Sequence, residues 1–419
     1  MKTSQLSENL KGSAIIKLAG EVKALQAQGE KIYNLTIGDF DSKIFPIPDE
    51  LKSLIVEAYQ KDFTNYPMGN GEAVLRKSVS NYLNENLGLE YSENEILISG
   101  GARPLIYAVY QTILDLDDTV FYPTPSWNND AYTYLSRNKE IVIEAQPDNK
   151  FMPTAEEIKP YIQQANLIAV CSPLNPTGTT FEKAELEKIC DLIVKENKRR
   201  NELDVKPLYL LYDQIYWQLT YGETRHYNPV SSNPEMRDYT IFIDGISKAF
   251  ASTGVRVGWA FGPADIIHKM KDILGHIGAW APKPEQVATA KYLEKSDEVE
   301  KYLKNIKSEL SYRLDEFYKG FSELKSEGFP VDVIEPEAAL YLTVKFDLIG
   351  KQRSDGTLLN SVSDITDYLL KEAKVALVPF SAFGASKDST WYRLSVGTTS
   401  KDDISAILLG LKKALETLS

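Results

Sequence analysis

Cysteine and histidine are scarce, with two of the first and three of the second in 419 residues. Cys171 and Cys190 have no ligand-spaced partners, and His226, His268 and His276 form no i,i+4 pair, which excludes a disulfide framework and a zinc site. Long apolar runs are missing as well. No stretch approaches the roughly eighteen apolar residues of a membrane span, and the first residues lack the apolar core of a signal peptide. A basic excess is also absent. The 47 lysines and arginines stand against 59 aspartates and glutamates, and the net charge of −12 repels a phosphate backbone or an anionic membrane. These absences predict a cytoplasmic protein with reduced cysteines and no nucleic-acid or membrane partner. What is present, 43% hydrophobic and 25% charged residues, is the composition of a folded globular chain. Its length suits two or three domains of ~100–200 residues.

Short apolar runs rich in β-branched and aromatic residues recur at 95–99, 119–122, 140–144, 167–171, 208–212, 240–243 and 256–261, between helical patterns. Most are apolar at consecutive positions, as in strands covered on both faces, so the pattern predicts an α/β fold with a mostly parallel, doubly wound sheet. The period then changes. Val299, Leu303, Ile306, Leu310, Leu314, Phe317, Phe321 and Leu324 recur three or four apart, which predicts one long amphipathic helix. Alternating stretches at 331–346, 375–378 and 392–396, interleaved with helices at 364–372 and 402–417, predict a smaller α+β domain, and Ser400 with Asp403 predicts an N-terminal cap. The polar 351–357 reads as a surface loop and the charge-dense 195–206 as another solvated stretch. The expected division is an N-terminal segment 1–47 joining the small domain, a large domain 48–290, and an interdomain helix with the small domain at 291–419.

Candidate chemistry gathers at strand ends, where ligands bind in open α/β sheets. Asp244-Gly245-Ile246-Ser247-Lys248 follows a strand directly, and Arg256 lies eight residues on within Gly254-Val255-Arg256-Val257-Gly258. Burial and nearby positive charge favour a neutral lysine amine, the form that condenses with an aldehyde, and Arg256 between glycines can fork onto a phosphate. Each is also an ordinary surface cation when taken alone. Tyr212-Asp213-Gln214-Ile215-Tyr216 sets a carboxylate at another strand end, suited to a cationic ring nitrogen or, more blandly, to a helix cap. Asn175-Pro176-Thr177-Gly178 reads as a turn in the same region. Ser99-Gly100-Gly101-Ala102-Arg103-Pro104 joins a strand to a helix whose first N–H groups would face an anion. Its spacing is neither a dinucleotide fingerprint nor a P-loop. Trp127, in Pro125-Ser126-Trp127-Asn128, and Arg393, in Trp391-Tyr392-Arg393-Leu394-Ser395, complete the set.

Together and in this order, these motifs resemble the class I/II aminotransferases, fold-type-I enzymes that use pyridoxal 5′-phosphate. The resemblance runs from Ile32-Tyr33-Asn34-Leu35-Thr36-Ile37-Gly38 to Arg393. It implies a mostly parallel seven-stranded sheet with helices on both faces plus a smaller α+β domain. It further implies that Lys248 would carry the cofactor and shuttle a proton at the substrate α-carbon, while Asp213 would pair with the pyridinium nitrogen. Tyr216 and Asn175 would bind the cofactor's 3-oxygen. Gly101 and the amides of Ala102 and Arg103, with Ser247 and Arg256, would hold the phosphate, and Trp127 would stack on the ring. Arg393 would take the substrate α-carboxylate, with Gly38 and Asn175 lining that end. Tyr66, in Asn65-Tyr66-Pro67-Met68-Gly69, resembles a tyrosine reaching the neighbouring subunit's phosphate, which implies a homodimer with shared active sites.

The chain departs from the family pattern at Gly245, Ser252, Gln214, Phe380 and Ala281-Pro282-Lys283-Pro284-Glu285. The implied reaction moves an amino group between an L-amino acid, dicarboxylic or aromatic, and a 2-oxo acid such as 2-oxoglutarate. A lyase on the same scaffold and a non-catalytic regulator are the alternatives, and the short stretch before the first motif disfavours the regulator. The Pro-Ser-Trp sequence resembles dicarboxylate-handling members. Lys283, Arg103 and Lys61 are candidate readers of a distal carboxylate, whereas Tyr33, Phe63, Trp217 and Tyr221 would instead line an aromatic-accepting pocket.

Overall fold

The computed structural model describes residues 2–10, 12 and 14–419; Met1, Lys11 and Ser13, which fall in the expected N-terminal segment, lie outside the described residues. A two-residue strand, β1 (Tyr33–Asn34), precedes the strands of the main sheet. These are β2 (Ile96–Ser99), β3 (Thr119–Thr124), β4 (Lys139–Glu144), β5 (Leu167–Cys171), β6 (Tyr209–Asp213), β7 (Thr240–Gly245) and β8 (Gly258–Phe261). Their order across the sheet is β2-β8-β7-β6-β5-β3-β4. Only β8 is reversed relative to its neighbours.

Successive side chains of these strands enter different cores. In β5, Leu167 and Ala169 pack with Tyr110 and Met270, while Ile168 and Val170 pack on the other face with Ile189 and Phe250. Two covered faces explain the consecutive apolar residues. β4 is the exception. It closes the sheet's edge with Lys139, Glu140 and Glu144 exposed, charges that discourage pairing with another chain. The expected strand 256–261 begins only at Gly258, because Arg256 adopts φ +63°, a left-handed conformation foreign to strands. The expected strand 95–99 begins at Ile96, after a turn capped by Ser92 and Glu95.

The smaller sheet joins β9 (Val331–Val333), β10 (Tyr341–Phe346), a short β11 (Val375–Ala376), β12 (Val378–Pro379) and β13 (Trp391–Ser395) in two groups. Four strands run antiparallel in the order β12-β13-β10-β9, while β11 pairs with β1 in parallel. The single strand expected at 375–378 is therefore split, since its two halves bond to different partners. The stretch 331–346 likewise holds two strands rather than one. The long helix spans Ser296–Ser326 and turns Ile306, Leu310, Leu314, Phe317 and Phe321 onto this sheet. The expected helices 364–372 and 402–417 form at Val362–Lys371 and Ile404–Glu416. Ser400 Oγ caps the amide of Asp402 at 3.3 Å, not that of Asp403, because residues 401–403 wind as a tighter 3₁₀ turn.

The stretch 195–206 is not simply solvated. Most of it continues the helix Lys183–Glu202, and Glu196, Asn197 and Arg200 are buried. Arg200 Nε donates to Glu196 Oε1 at 2.7 Å, and its other nitrogens donate to the carbonyls of Ala165 at 2.7 Å, Lys206 at 3.1 Å and Ile162 at 3.2 Å. This guanidinium ties the helix to the connection that leads into β5. Arg200→Ala leaves Glu196 with Arg199 as its remaining donor but strips the carbonyls of Ala165, Ile162 and Lys206 of theirs, and should destabilise the fold by ~1–3 kcal/mol. The measurement is a denaturant midpoint at unchanged m-value; a loss under about 1 kcal/mol would show that water already reaches this cluster.

Candidate active site

The carboxyl ends of β5, β6 and β7 open into a cavity of about 520 Å³. Asp213 is the last residue of β6, opposite Cys171 of β5 in the sheet register. β7 ends at Gly245, and a one-turn helix, Ile246–Ala249, carries Ser247 and Lys248 into the cavity. Gly245 leaves no room for a side chain, since a Cβ there would lie 2.7 Å from the Cα of Gly258. The other departures have local reasons. Ser252 is buried and its hydroxyl donates to the carbonyl of Ile246 at 2.7 Å, tightening the turn after Lys248. Gln214 points away from the cavity toward His226, with 3.3 Å between Gln214 Oε1 and the ring Nε2. Phe380 fills a small core with Phe151, and Lys283 and Glu285 engage Asn65 and Tyr59 on the outer face.

An extended N-terminal segment crosses the gap between the two sheets and roofs the site. Arg393 Nη2 donates to the carbonyl of Thr36 at 2.6 Å, Ser395 Oγ to that of Ile37 at 2.7 Å and Lys248 Nζ to that of Gly38 at 2.7 Å. Asp39 Oδ1 accepts from Thr253 Oγ1 at 2.6 Å. Arg393 is only 2% exposed, reaches Asn175 Oδ1 at 2.9 Å, and leaves its Nε without a partner. Its guanidinium carbon lies 4.7 Å from the Tyr341 ring centre and 4.8 Å from that of Phe383. Arg256 donates to the carbonyls of Thr253 at 2.7 Å and Gly100 at 2.8 Å. It lies so close above Gly101 that a Cβ there would fall 2.2 Å from Nη2. Gly101 has φ +91°, so both crowding and backbone conformation require glycine.

The charges are unusual for an acidic chain. Burial, reinforced by Arg393, Arg103 and Arg256 against the opposing pull of Asp39, lowers the Lys248 amine to about 8. Burial raises Asp213 to about 6, against the N–H of Ile215 and the charge of Lys248. At neutral pH the carboxylate is ionised and the amine is within reach of its neutral form. Burial also raises the phenols of Tyr216 and Tyr341, keeping both protonated.

Lys248, Asp213, Tyr216, Asn175, Ser247, Arg256, Ala102, Arg103, Trp127, Gly38 and Arg393 all line the one cavity. Gly101 stands behind it beneath Arg256, and Tyr66 lies outside, 82% exposed, with its ring 5.5 Å edge-on from Trp280. Of the three candidate distal-carboxylate readers only Arg103 is in the cavity; Lys61 pairs with Glu57, and Lys283 approaches Glu72 at 3.9 Å. None of the four candidate aromatic wall residues lines it. Trp217 donates to Asp244, Tyr221 to the carbonyl of Ala339, Tyr33 sits under Lys31, and Phe63 is half-buried elsewhere. Asp39, Thr253 and Tyr341 line the cavity and were not anticipated. Thr253 lies between Lys248 and Arg256 in sequence, which was a usable signal; Tyr341 comes from the distant β10 and carried none.

An amine and a carboxylate at adjacent strand ends, an arginine with an orphaned Nε, and Arg256 cradled on Gly101 match the charges of an aldehyde-bearing pyridine phosphate and an amino-acid carboxylate. Fold and site thus define a pyridoxal-phosphate enzyme of the doubly wound type. The profile of the family described as aminotransferase class I and II matches residues 30–408. An aspartate aminotransferase of Bacillus sp. strain YM-2 is 29% identical over 381 residues, 90% of this chain and 91% of its own. Another, of Bacillus subtilis strain 168, is 27% identical over 401 residues, 95% of each chain. The crystal structure of the aspartate aminotransferase from Rhizobium meliloti superposes with a TM-score of 0.91 at 25% identity, covering 100% of both chains. That of the aromatic aminotransferase from Pyrococcus horikoshii OT3 gives 0.80 at 26% identity over 94% of this chain and 98% of that one. The chain belongs to the class I and II aminotransferases. It is a pyridoxal-phosphate-dependent enzyme that moves an amino group between an amino acid and a 2-oxo acid.

A lysine lowered to about 8 is half neutral there instead of at its ordinary value of 10.5. The sign is that of a depressed cation: between about pH 8 and 10.5 the unfolded chain holds a proton the folded one has released, so this group's contribution to stability rises with pH across that window. Reductive methylation of Lys248 in the cofactor-free protein, followed by peptide mass spectrometry, should have its midpoint near pH 8. A midpoint near 10 would mean that the amine is hydrated and remote from the three arginines.

Proposed function

We propose that the chain transaminates dicarboxylic L-amino acids against a 2-oxo acid such as 2-oxoglutarate. The observation that carries this reading is Arg103. Its guanidinium carbon lies over the Trp127 ring, 4.4 Å from the ring centre, and among the described residues no carboxylate is within ion-pair distance of it. A free cation on an aromatic shelf inside the cavity suits a second carboxylate on the substrate. The relatives named aspartate aminotransferase support the same choice. Ile15, Ile106 and Trp127 also supply apolar wall, which favours the aromatic acids as the second reading.

When bound, pyridoxal phosphate supplies a ring that withdraws the electrons left at the substrate α-carbon. Lys248 would hold it by its aldehyde and would carry the α-proton on Nζ. Asp213, anionic, would pair with the ring nitrogen and keep it protonated. Tyr216 and Asn175 would donate to the 3-oxygen. The amides of Ala102 and Arg103, following Gly101, would join Ser247 and Arg256 in holding the phosphate, and Trp127 would pack against the ring. Arg393 would present its guanidinium to the α-carboxylate, with Gly38 and Asn175 at the same end.

The working unit is a homodimer with shared sites. Its support is a set of exposed apolar side chains, Val56, Tyr59, Tyr66, Met68 and Val74, of which Tyr66 is 82% exposed. The domains divide as 1–47, 48–290 and 291–419, a division supported by the pairing of β1 with β11 of the small domain. The compartment is the cytoplasm, supported by two free cysteines and by the absence, among the described residues, of any helix long and apolar enough to cross a membrane.

Mixing the loaded enzyme with each common amino acid and following its visible absorption tests reaction and substrate together. Aspartate and glutamate should discharge the band fastest; phenylalanine and tyrosine leading would select the second reading. Asp213→Ala should leave the fold intact and cut turnover at least about a hundredfold. Arg393→Ala should raise KM for every amino acid, while Arg103→Ala should raise it about tenfold for dicarboxylates alone. A uniform effect at Arg103 would assign it to the cofactor instead.

A further inference from the structure

Tyr216 and Tyr341 share a hydrogen bond with 2.7 Å between their oxygens. Both phenols are buried, and their rings meet edge to face at 5.6 Å. Glycine at 38 and at 178 lets Tyr341 pack here: a Cβ at position 38 would lie 2.8 Å from its hydroxyl, and one at Gly178 would lie 2.4 Å from its carbonyl oxygen. Arg393 covers its ring, and β10 is paired on both sides.

A phenol has one proton to donate. If Tyr216 spends its proton on the cofactor's 3-oxygen, the bond between the two tyrosines can run in one direction only, from Tyr341 to Tyr216. We propose that Tyr341 is a positioning residue of the transamination site: its hydroxyl donates to Tyr216 Oη and thereby directs the Tyr216 proton into the cavity, while its ring floors Arg393. The inference rests on the reading of Tyr216 given above. A hydroxyl that accepts a hydrogen bond is a stronger donor itself. Tyr341 therefore strengthens the pull of Tyr216 on the 3-oxygen from a distance, and joins that contact to the arginine that takes the α-carboxylate. The titratable and charged groups facing the pair are Arg393 from β13, Cys171 from β5 and Asp39 from the N-terminal segment, with Lys248 Nζ 5.9 Å from the Tyr216 ring centre.

The test uses the loaded enzyme and the pH midpoint of its visible band, a property separate from turnover. A weaker donor leaves more charge on the 3-oxygen, which holds the proton on the adjacent nitrogen more tightly. Tyr216→Phe should raise the midpoint, and Tyr341→Phe should raise it by a smaller amount, about half a unit. Combining the two should add nothing to Tyr216→Phe alone, because the second hydroxyl acts through the first. Tyr341→Leu, which also removes the floor under Arg393, should raise KM for amino acids more than Tyr341→Phe does. An unchanged midpoint in Tyr341→Phe, or an equal shift with Tyr216 already replaced, overturns the proposal while leaving Tyr216 in its role. No shift in Tyr216→Phe itself overturns the reading of Tyr216, and the proposal with it.

Discussion

Two opposite charges, the amine of Lys248 and the carboxylate of Asp213, are held half-buried in one cavity at the ends of neighbouring strands, and most of the architecture serves that constraint. Burial pushes each toward neutrality, the amine down to about 8 and the carboxylate up to about 6. A group displaced this far responds strongly to whatever charge is brought beside it. The sheet sets their separation, because β6 and β7 are hydrogen-bonded neighbours and the one-turn helix that carries Lys248 follows Gly245 directly.

The segment Thr36–Asp39 couples this chemistry to the small domain. Its carbonyls take hydrogen bonds from Arg393 and Ser395 of β13 on one side and from Lys248 on the other, and Asp39 is tied to Thr253. One stretch of backbone thus touches Arg393 and Lys248 together. Motion of the small sheet would be felt at both.

Net charge and local charge part company here. The chain carries −12 overall, yet the cavity gathers Arg103, Lys248, Arg256 and Arg393 against Asp39 and Asp213. Arg256 and Arg393 are largely saturated by backbone carbonyls and Asn175, so their positions are set before any ligand arrives. Pre-set cations do not have to reorganise as charge develops, which is the condition for electrostatic catalysis. Asp244, Trp217, Gln214 and His226 form a polar layer behind the site. There Asp244 accepts from Trp217 at 2.9 Å and from the amide of Gly245 at 2.7 Å, steadying the turn that carries Lys248.

The residues that line the cavity at strand ends were legible in the sequence because each follows a recognisable apolar run or glycine turn: Asp213 after Leu210-Leu211-Tyr212, Lys248 after Ile241-Phe242-Ile243, Ala102 after the double glycine. So was the two-sided main sheet, since burial on both faces demands consecutive apolar residues. What sequence could not decide was contact across the fold. Arg200 reads as one more charge in a basic stretch until its carbonyl partners appear from the turn before β5. Trp217 and Tyr221 read as pocket walls until they prove to face Asp244 and the small domain. Tyr341 gives no local sign of its task, because its partners lie 125 residues away in Tyr216 and on a separate strand in Arg393. Local order follows from periodicity and backbone sterics, which neighbours in sequence determine. Which side chain spends its one proton on which acceptor depends on packing between segments that only the completed fold brings together.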